Sequence, residues 1–203
     1  MELTAAEPRR KSLTQLYLDG EEAVKIDTEV FLRSGLKPGD ELSDEELSEL
    51  IKASDARRAK EKALYLLEHR NHSKKELTEK IARTAASREA AEAAADQMEE
   101  LGLVNDEAFA RDYARELFLR RRFGARRVKQ ELRLKGISPE IVDELLLEYE
   151  DDSLAAENIR AVLEKKYAGW QEDEKTRRRA YAALQRLGYS YGQIRQAMGS
   201  EED

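Results

Sequence analysis

The sequence of 203 residues predicts a mainly α protein: three tandem three-helix units preceded by a small N-terminal β-hairpin/helix segment. From about residue 53 onward the apolar residues keep helical spacing. Phe109, Tyr113 and Leu117 make one stripe, Ile141, Val142, Leu145 and Leu146 a second, and Ile159, Val162, Leu163 and Tyr167 a third. A glycine followed by an apolar residue recurs as a helix stop at Leu101-Gly102-Leu103, Lys135-Gly136-Ile137 and Leu187-Gly188-Tyr189. The segments also repeat. A shift of 51 positions lays Arg70–Leu77 on Arg121–Val128 and Ser87 on Ser138, and a shift of 52 lays Gly136-Ile137-Ser138 on Gly188-Tyr189-Ser190.

Taken in chain order, Leu16, Leu18, Val24 and Ile26 alternate with other residues around Asp19-Gly20, which predicts an antiparallel ribbon of Leu13–Leu18 and Ala23–Ile26. Two strands are not stable alone, so the ribbon must lean on the helices that follow. Thr28–Ser34 reads as a brief helix ended by Gly35, Lys37-Pro38-Gly39 as a turn, and Ser43-Asp44-Glu45-Glu46 as a capping box. Ser73 to Glu76 and Ser190 to Gln193 are further capping boxes, and Ser138 precedes Pro139 at a first helical position. The resulting segments are 1–52, 53–104, 105–150 and 151–203. Helical repeats of about 50 residues stack into elongated, curved surfaces.

Composition narrows the function classes. Charged residues make up 39% of the chain while Gly and Pro number only 10 and 3, which argues against extended disorder. With no Cys, disulfides, thiolate zinc sites and cysteine nucleophiles are excluded together. The first residues lack the apolar core of a signal peptide, and no apolar run approaches the ~20 residues of a membrane span, so a cytoplasmic protein without membrane contact is expected.

The run Arg120–Lys135 carries eight Lys/Arg residues against one acid, Glu131, in a chain of net charge -7. Such a ridge costs self-repulsion and points to an anionic partner. Arg120, Arg121 and Arg122 fall at a helix end, where cations complement the macrodipole. Arg126, Arg127, Lys129, Arg133 and Lys135 fall on the next helix, outside its Val128/Leu132 seam. A solvated helix face accounts for some of them, but scarce acids leave few intrahelical salt bridges to form. Arg177, Arg178 and Arg179, with Lys175, occupy a related place in the third unit.

A helix-turn-helix DNA reader is disfavoured, because the helix after Gly136, PEIVDELLLEYE, is acidic and apolar where base edges call for Arg, Asn or Gln. His69 and His72 have no third ligand nearby and read as surface or capping residues. Phosphate-binding GxxxxGK[ST], Gly-rich dinucleotide and GxSxG spacings are missing. The acid pairs Glu99-Glu100 and Asp151-Asp152 read as solvated acids at helix ends. Trp170 reads as a loop residue folding back on a small core, with an anchor in a partner's pocket as the other reading. No catalytic residue, cofactor or metal is expected.

Leu101-Gly-Leu-Val-Asn-Asp-Glu-Ala-Phe-Ala110 and Gly124-Ala-Arg-Arg-Val-Lys-Gln-Glu-Leu-Arg-Leu-Lys-Gly136 resemble the central signature of the RecX family of recombination regulators. Arg70, Ser73, Glu76 and Leu77 are similar to the pattern before it, and Gly188-Tyr-Ser-Tyr191 with Ile194 to the family's C-terminal motif. The Tyr17–Gly20 ribbon and Gly35–Gly39 are similar to a leader found in part of the family. Thr84-Ala85 stand where a Gly is usual, and Gly192 where an acid is common. The resemblance implies a monomeric, cofactor-free, non-catalytic protein that binds the RecA–DNA filament. There it limits extension, ATP hydrolysis and strand exchange, its basic face meeting recombinase or single- or double-stranded DNA. The alternative is a nucleic-acid-binding helical module acting independently of a recombinase.

Overall fold

The computed structural model describes residues 1–149 and 152–199, and the chain divides into two compact units, 1–104 and 105–203. The N-terminal unit opens with three antiparallel strands in the order β1 (Leu3–Arg9), β2 (Leu13–Leu18), β3 (Glu21–Asp27). β2 and β3 are the predicted ribbon, joined by Asp19 and Gly20 at φ 52° and 85°, the left-handed pair a tight hairpin needs.

The ribbon expected from sequence has a third member, β1. Ala5, Ala6 and Pro8 carry little strand propensity, so alternation there is silent. The strand forms through distant pairing: Ala6 lies opposite Leu16, and the Leu3 N–H donates to the Asp40 carbonyl at 2.9 Å. Pro8 is tolerated because β1 is an edge strand. Leu3, Leu16, Leu18 and Ile26 pack with Leu42 and Leu50, so the sheet does lean on the helix that follows.

Helix α1 (Thr28–Ser34) is capped by Asp27 and stops at Gly35. Helix α2 (Asp44–His69) starts at a complete Ser43/Glu46 capping box and runs unbroken for 26 residues, across the boundary drawn after residue 52. Its middle holds the sheet: Ser54 Oγ accepts from the Asp27 N–H at 2.8 Å, and Arg57 bridges Asp27, Glu29 and Glu61. Helices α3 (Lys74–Ala82) and α4 (Arg88–Glu100) pack on it through Leu77, Ile81 and Met98, with small Ala59, Ala63, Ala91, Ala94 and Ala95 letting the helices approach closely.

In the C-terminal unit, α5 (Asp106–Arg115) continues into a π-helical turn, Glu116–Arg120. Helices α6 (Ala125–Leu134), α7 (Pro139–Leu147), α8 (Asp152–Lys166), α9 (Glu174–Arg186) and α10 (Tyr191–Met198) follow. The predicted stripes become two cores. One gathers Phe109, Leu117, Val128, Leu132, Val142 and Leu145; the other gathers Ile159, Leu163, Leu184, Tyr189 and Ile194, with Trp170 folded back against it. Asp151 and the boundary after residue 150 lie outside the described residues.

The repeat is legible in the caps. Ser87, Ser138 and Ser190 start α4, α7 and α10, and each accepts the backbone N–H of the third residue of its helix. All three glycine stops close the same paired bonds: at Gly136, for instance, its N–H donates to Arg133 and that of Ile137 to Leu132, at 2.9 and 3.2 Å.

One position breaks the pattern for a reason. Gly124 begins α6 with no capping side chain, where α3 has Ser73 and α9 has Asp173. A Cβ on Gly124 would lie 2.5 Å from the backbone carbonyl of Gly188, and one on Gly188 would lie 2.4 Å from the Arg127 backbone nitrogen. Here two three-helix pieces meet backbone to backbone. The Gly124 N–H donates to the Leu187 carbonyl at 2.8 Å, the Tyr189 hydroxyl to the Arg122 carbonyl at 2.8 Å, and the Asn158 amide to Phe118 at 3.1 Å. Phe118 also stacks on Tyr149 with ring centroids 4.4 Å apart. Tyr189 is buried by this closure, which pushes its hydroxyl pKa up and keeps it a neutral donor.

Candidate partner-binding face

Helix α6 forms because Val128 and Leu132, four apart, are both fully buried while its other positions, Ala125 and the exposed Leu134 apart, are charged or polar. With the inward seam fixed, 100° per residue places Arg126 and Arg133 together on the outward side, and Arg127 and Lys129 on opposite flanks. Arg126 and Arg133 are exposed, and among the described residues neither makes an ion pair. Arg120, at the end of the π-helical turn, is exposed and likewise makes none.

The other cations of the run have internal work. Arg121 binds Glu116 through Nε and Nη2 at 3.1 and 3.0 Å. Arg127 pairs with Glu131 at 2.5 Å and lies 5.8 Å from the Phe123 ring centroid. Lys129 pairs with Asp143 of α7, and that bond, with Arg133 nearby, holds the Asp143 carboxyl below its usual range. Lys135 sits 5.7 Å from the Tyr113 ring centroid. Arg122 is half-buried at φ 55°, a conformation a non-glycine residue rarely adopts, and its carbonyl receives the Tyr189 hydroxyl.

So carboxylates reach this face more than the scarcity of acids within the run predicts. Glu116 and Asp143 come from neighbouring elements, which spacing along one helix does not reveal. On α9, Arg178 pairs with Glu174 at 2.8 Å and Arg177 is half-buried, while Arg179 is exposed with no ion pair among the described residues.

Sequence reasoning passed over a second surface. A groove of about 570 Å³ runs along α9 and α10, lined among others by Arg177, Tyr181, Tyr191 and Arg195. The Tyr181 and Tyr191 rings meet edge to face at 6.3 Å, and Tyr191 is 61% exposed. The signal was present in a large exposed aromatic at the first position of a short helix, read as part of a capping box and of the family's C-terminal motif.

The histidines separate. His69 is exposed, with Nδ1 2.7 Å from the Tyr65 carbonyl. His72 is buried, contrary to a surface role, and its Nδ1 lies 3.4 Å from Glu76. Burial lowers the His72 pKa against the raising effect of Glu76. Among the described residues no group of three or more His, Cys, Asp or Glu is placed to hold a metal, and no helix is long and apolar enough to cross a membrane.

Residues 105–146 match the model of the second three-helix domain of RecX, and residues 154–198 that of the third. The regulatory protein RecX of Halorhodospira halophila is 34% identical over 162 residues, 77% of this chain and 95% of that protein. That of Streptococcus gordonii is 29% identical over 206 residues, all of this chain and 79% of the other. Among solved structures, one described as the crystal structure of regulatory protein RecX aligns with a TM-score of 0.67 at 20% identity, covering 97% of this chain and 98% of that one. RecX from Lactobacillus salivarius aligns at 0.62 with 24% identity, over 72% and 96% of the two chains. These structural matches carry the fold.

Proposed function

The chain belongs to the RecX family, and from that premise we propose that it binds the RecA–DNA filament and restrains its extension, ATP hydrolysis and strand exchange. The observation that supports this reading is the outward side of α6. Arg126 and Arg133, with Arg120, expose guanidinium groups that form no ion pair among the described residues, on a protein of net charge -7. Guanidinium groups left without an internal partner add little to stability, yet they attract a polyanion and fix its register through forked hydrogen bonds.

A recombinase filament on DNA presents such a polyanion as a helical repeat. Contacts from successive three-helix pieces add through effective concentration, so individually weak pairs suffice. The acidic remainder of the chain discourages binding to bulk nucleic acid. The backbone lock at Gly124 and Gly188 keeps α6 and α9 in fixed relation, which lowers the conformational cost of engaging both.

The test is to add the full chain to RecA filaments preformed on single-stranded DNA and follow ATP hydrolysis and pelleting. A fall in hydrolysis with co-sedimentation is expected. Unchanged hydrolysis at saturating protein would defeat the proposal. Titration of DNA alone covers the rival reading: tight binding whose log K falls with log salt at a slope near −0.7 per phosphate contacted would favour a recombinase-independent module.

A further inference from the structure

We infer that the groove between α9 and α10 is a docking site for an acidic peptide segment carrying one aromatic or large aliphatic side chain. Ile194 and Met198 are buried members of the third core and give the groove an apolar back. Tyr181 and Tyr191 add aromatic surface, and the exposed ring of Tyr191 meets Tyr181 edge to face. Arg177, Arg178 and Arg195 also line the space; among the described residues the acid in the lining is Glu174, which is paired with Arg178. Arg195 is exposed and makes no ion pair among the described residues.

The chemistry selects the occupant. The exposed guanidinium of Arg195 asks for a carboxylate or phosphate, while the apolar back asks for a side chain that leaves water; about 570 Å³ accommodates one large anchor with neighbouring backbone. A single nucleic-acid strand answers the charge but fits the walls less well. The tyrosine rings meet edge to face, so they form no parallel slot for a base, and they offer one aromatic position instead of a succession of stacking platforms. An acidic peptide with an aromatic anchor satisfies both halves of the groove.

This inference rests on the filament proposal only for who supplies the segment; the binding itself is testable with no recombinase present. The probe is a fluorescein-labelled synthetic peptide of ~10 residues, Asp and Glu around a single Phe, titrated with the full chain and read by fluorescence anisotropy. Saturable binding is expected. Tyr191→Ala and Arg195→Glu, both at exposed positions, should each weaken it roughly fivefold to tenfold, and replacing the peptide's Phe by Ser should weaken it at least as much. Arg133→Glu on α6 should leave it unchanged, and thermal melts should show all three protein variants folded. No saturable binding, equal binding by every variant, or loss in Arg133→Glu alone would overturn the inference. So would displacement of the peptide by an oligodeoxythymidine whose own binding falls with Tyr191→Ala, which would make this a nucleic-acid groove.

Discussion

Arg57 on α2 reaches three carboxylates, Asp27, Glu29 and Glu61, and Lys74 at the head of α3 reaches Asp96 and Glu99; Arg126 and Arg133 on α6 reach none among the described residues. In the N-terminal unit, long cations tie distant segments together. Asp27 sits at the end of β3 and caps α1, its side chain almost fully buried, so the guanidinium above it completes a structural joint. In the C-terminal unit the comparable joint is made by backbone, with Gly124 and Gly188 in contact and Tyr189 reaching across to Arg122. Among the described residues that seam is held by backbone contact and the Tyr189 hydroxyl, and the outer arginines of α6 take no ion pair in it. Charge used internally and charge left exposed should therefore separate in experiment.

The largest expected effect falls on the glycine seam. Gly188→Ala adds a Cβ at φ 95° that meets the Arg127 backbone, so the C-terminal unit should lose about 3 kcal/mol or more in urea titration. Gly102→Ala is the control: φ is 71° but nothing lies within 4 Å, so only the left-handed penalty of about 1 kcal/mol applies. Equal losses would mean that the close approach carries no energy of its own.

Arg57→Met tests the other kind of joint. The arginine side chain is 30% exposed and its loss leaves the buried Asp27 carboxylate without its ion pair, so after allowance for solvent screening a cost of about 1–2 kcal/mol is expected, with filament affinity unchanged. Loss of filament binding in this variant would blur the division.

A pH titration sharpens the comparison within the N-terminal unit. His72 is buried beside Glu76, with Arg70 and Lys80 near, and burial holds its folded pKa below the ordinary histidine value of 6.5. Its contribution is complete above that value and declines as pH falls through 6.5 to the lower folded pKa, since the unfolded chain takes up the proton first. His72→Gln should flatten this acid slope in denaturant midpoints measured against pH; an unchanged slope would exonerate the histidine.

The smallest effect concerns Asp143. Asp143→Asn releases Lys129 from its exposed pair, so filament affinity should rise about twofold while the denaturant midpoint stays unchanged. Weaker binding would mean that Asp143 itself faces the partner.

How much of this was readable from letters depends on whether the decisive contact is local. Ser87, Ser138 and Ser190 and the three glycine stops are local devices, and their spacing announced the helices and their repetition. Gly188 was legible as a stop, but not as a surface pressed on Arg127, because nothing in Leu-Gly-Tyr marks a partner in another repeat. Arg122 read as one more cation, yet its backbone carbonyl serves the seam. Strand β1 was silent because Ala and Pro bear no strand signature and its pairing is imposed from elsewhere. His72 lies in Arg-Asn-His-Ser-Lys-Lys, as polar a context as the chain offers, and is buried all the same. For the basic run, sequence gave the charge, but only neighbouring helices decide which guanidinium groups already have a carboxylate.

The most direct check is the affinity of the Arg126→Glu/Arg133→Glu double variant for RecA–DNA filaments, measured beside its denaturant midpoint. A drop of tenfold or more, with stability moved by less than about 0.5 kcal/mol, is the predicted result. Filament binding and ATPase inhibition equal to the parent chain would contradict the role given to the outer side of α6.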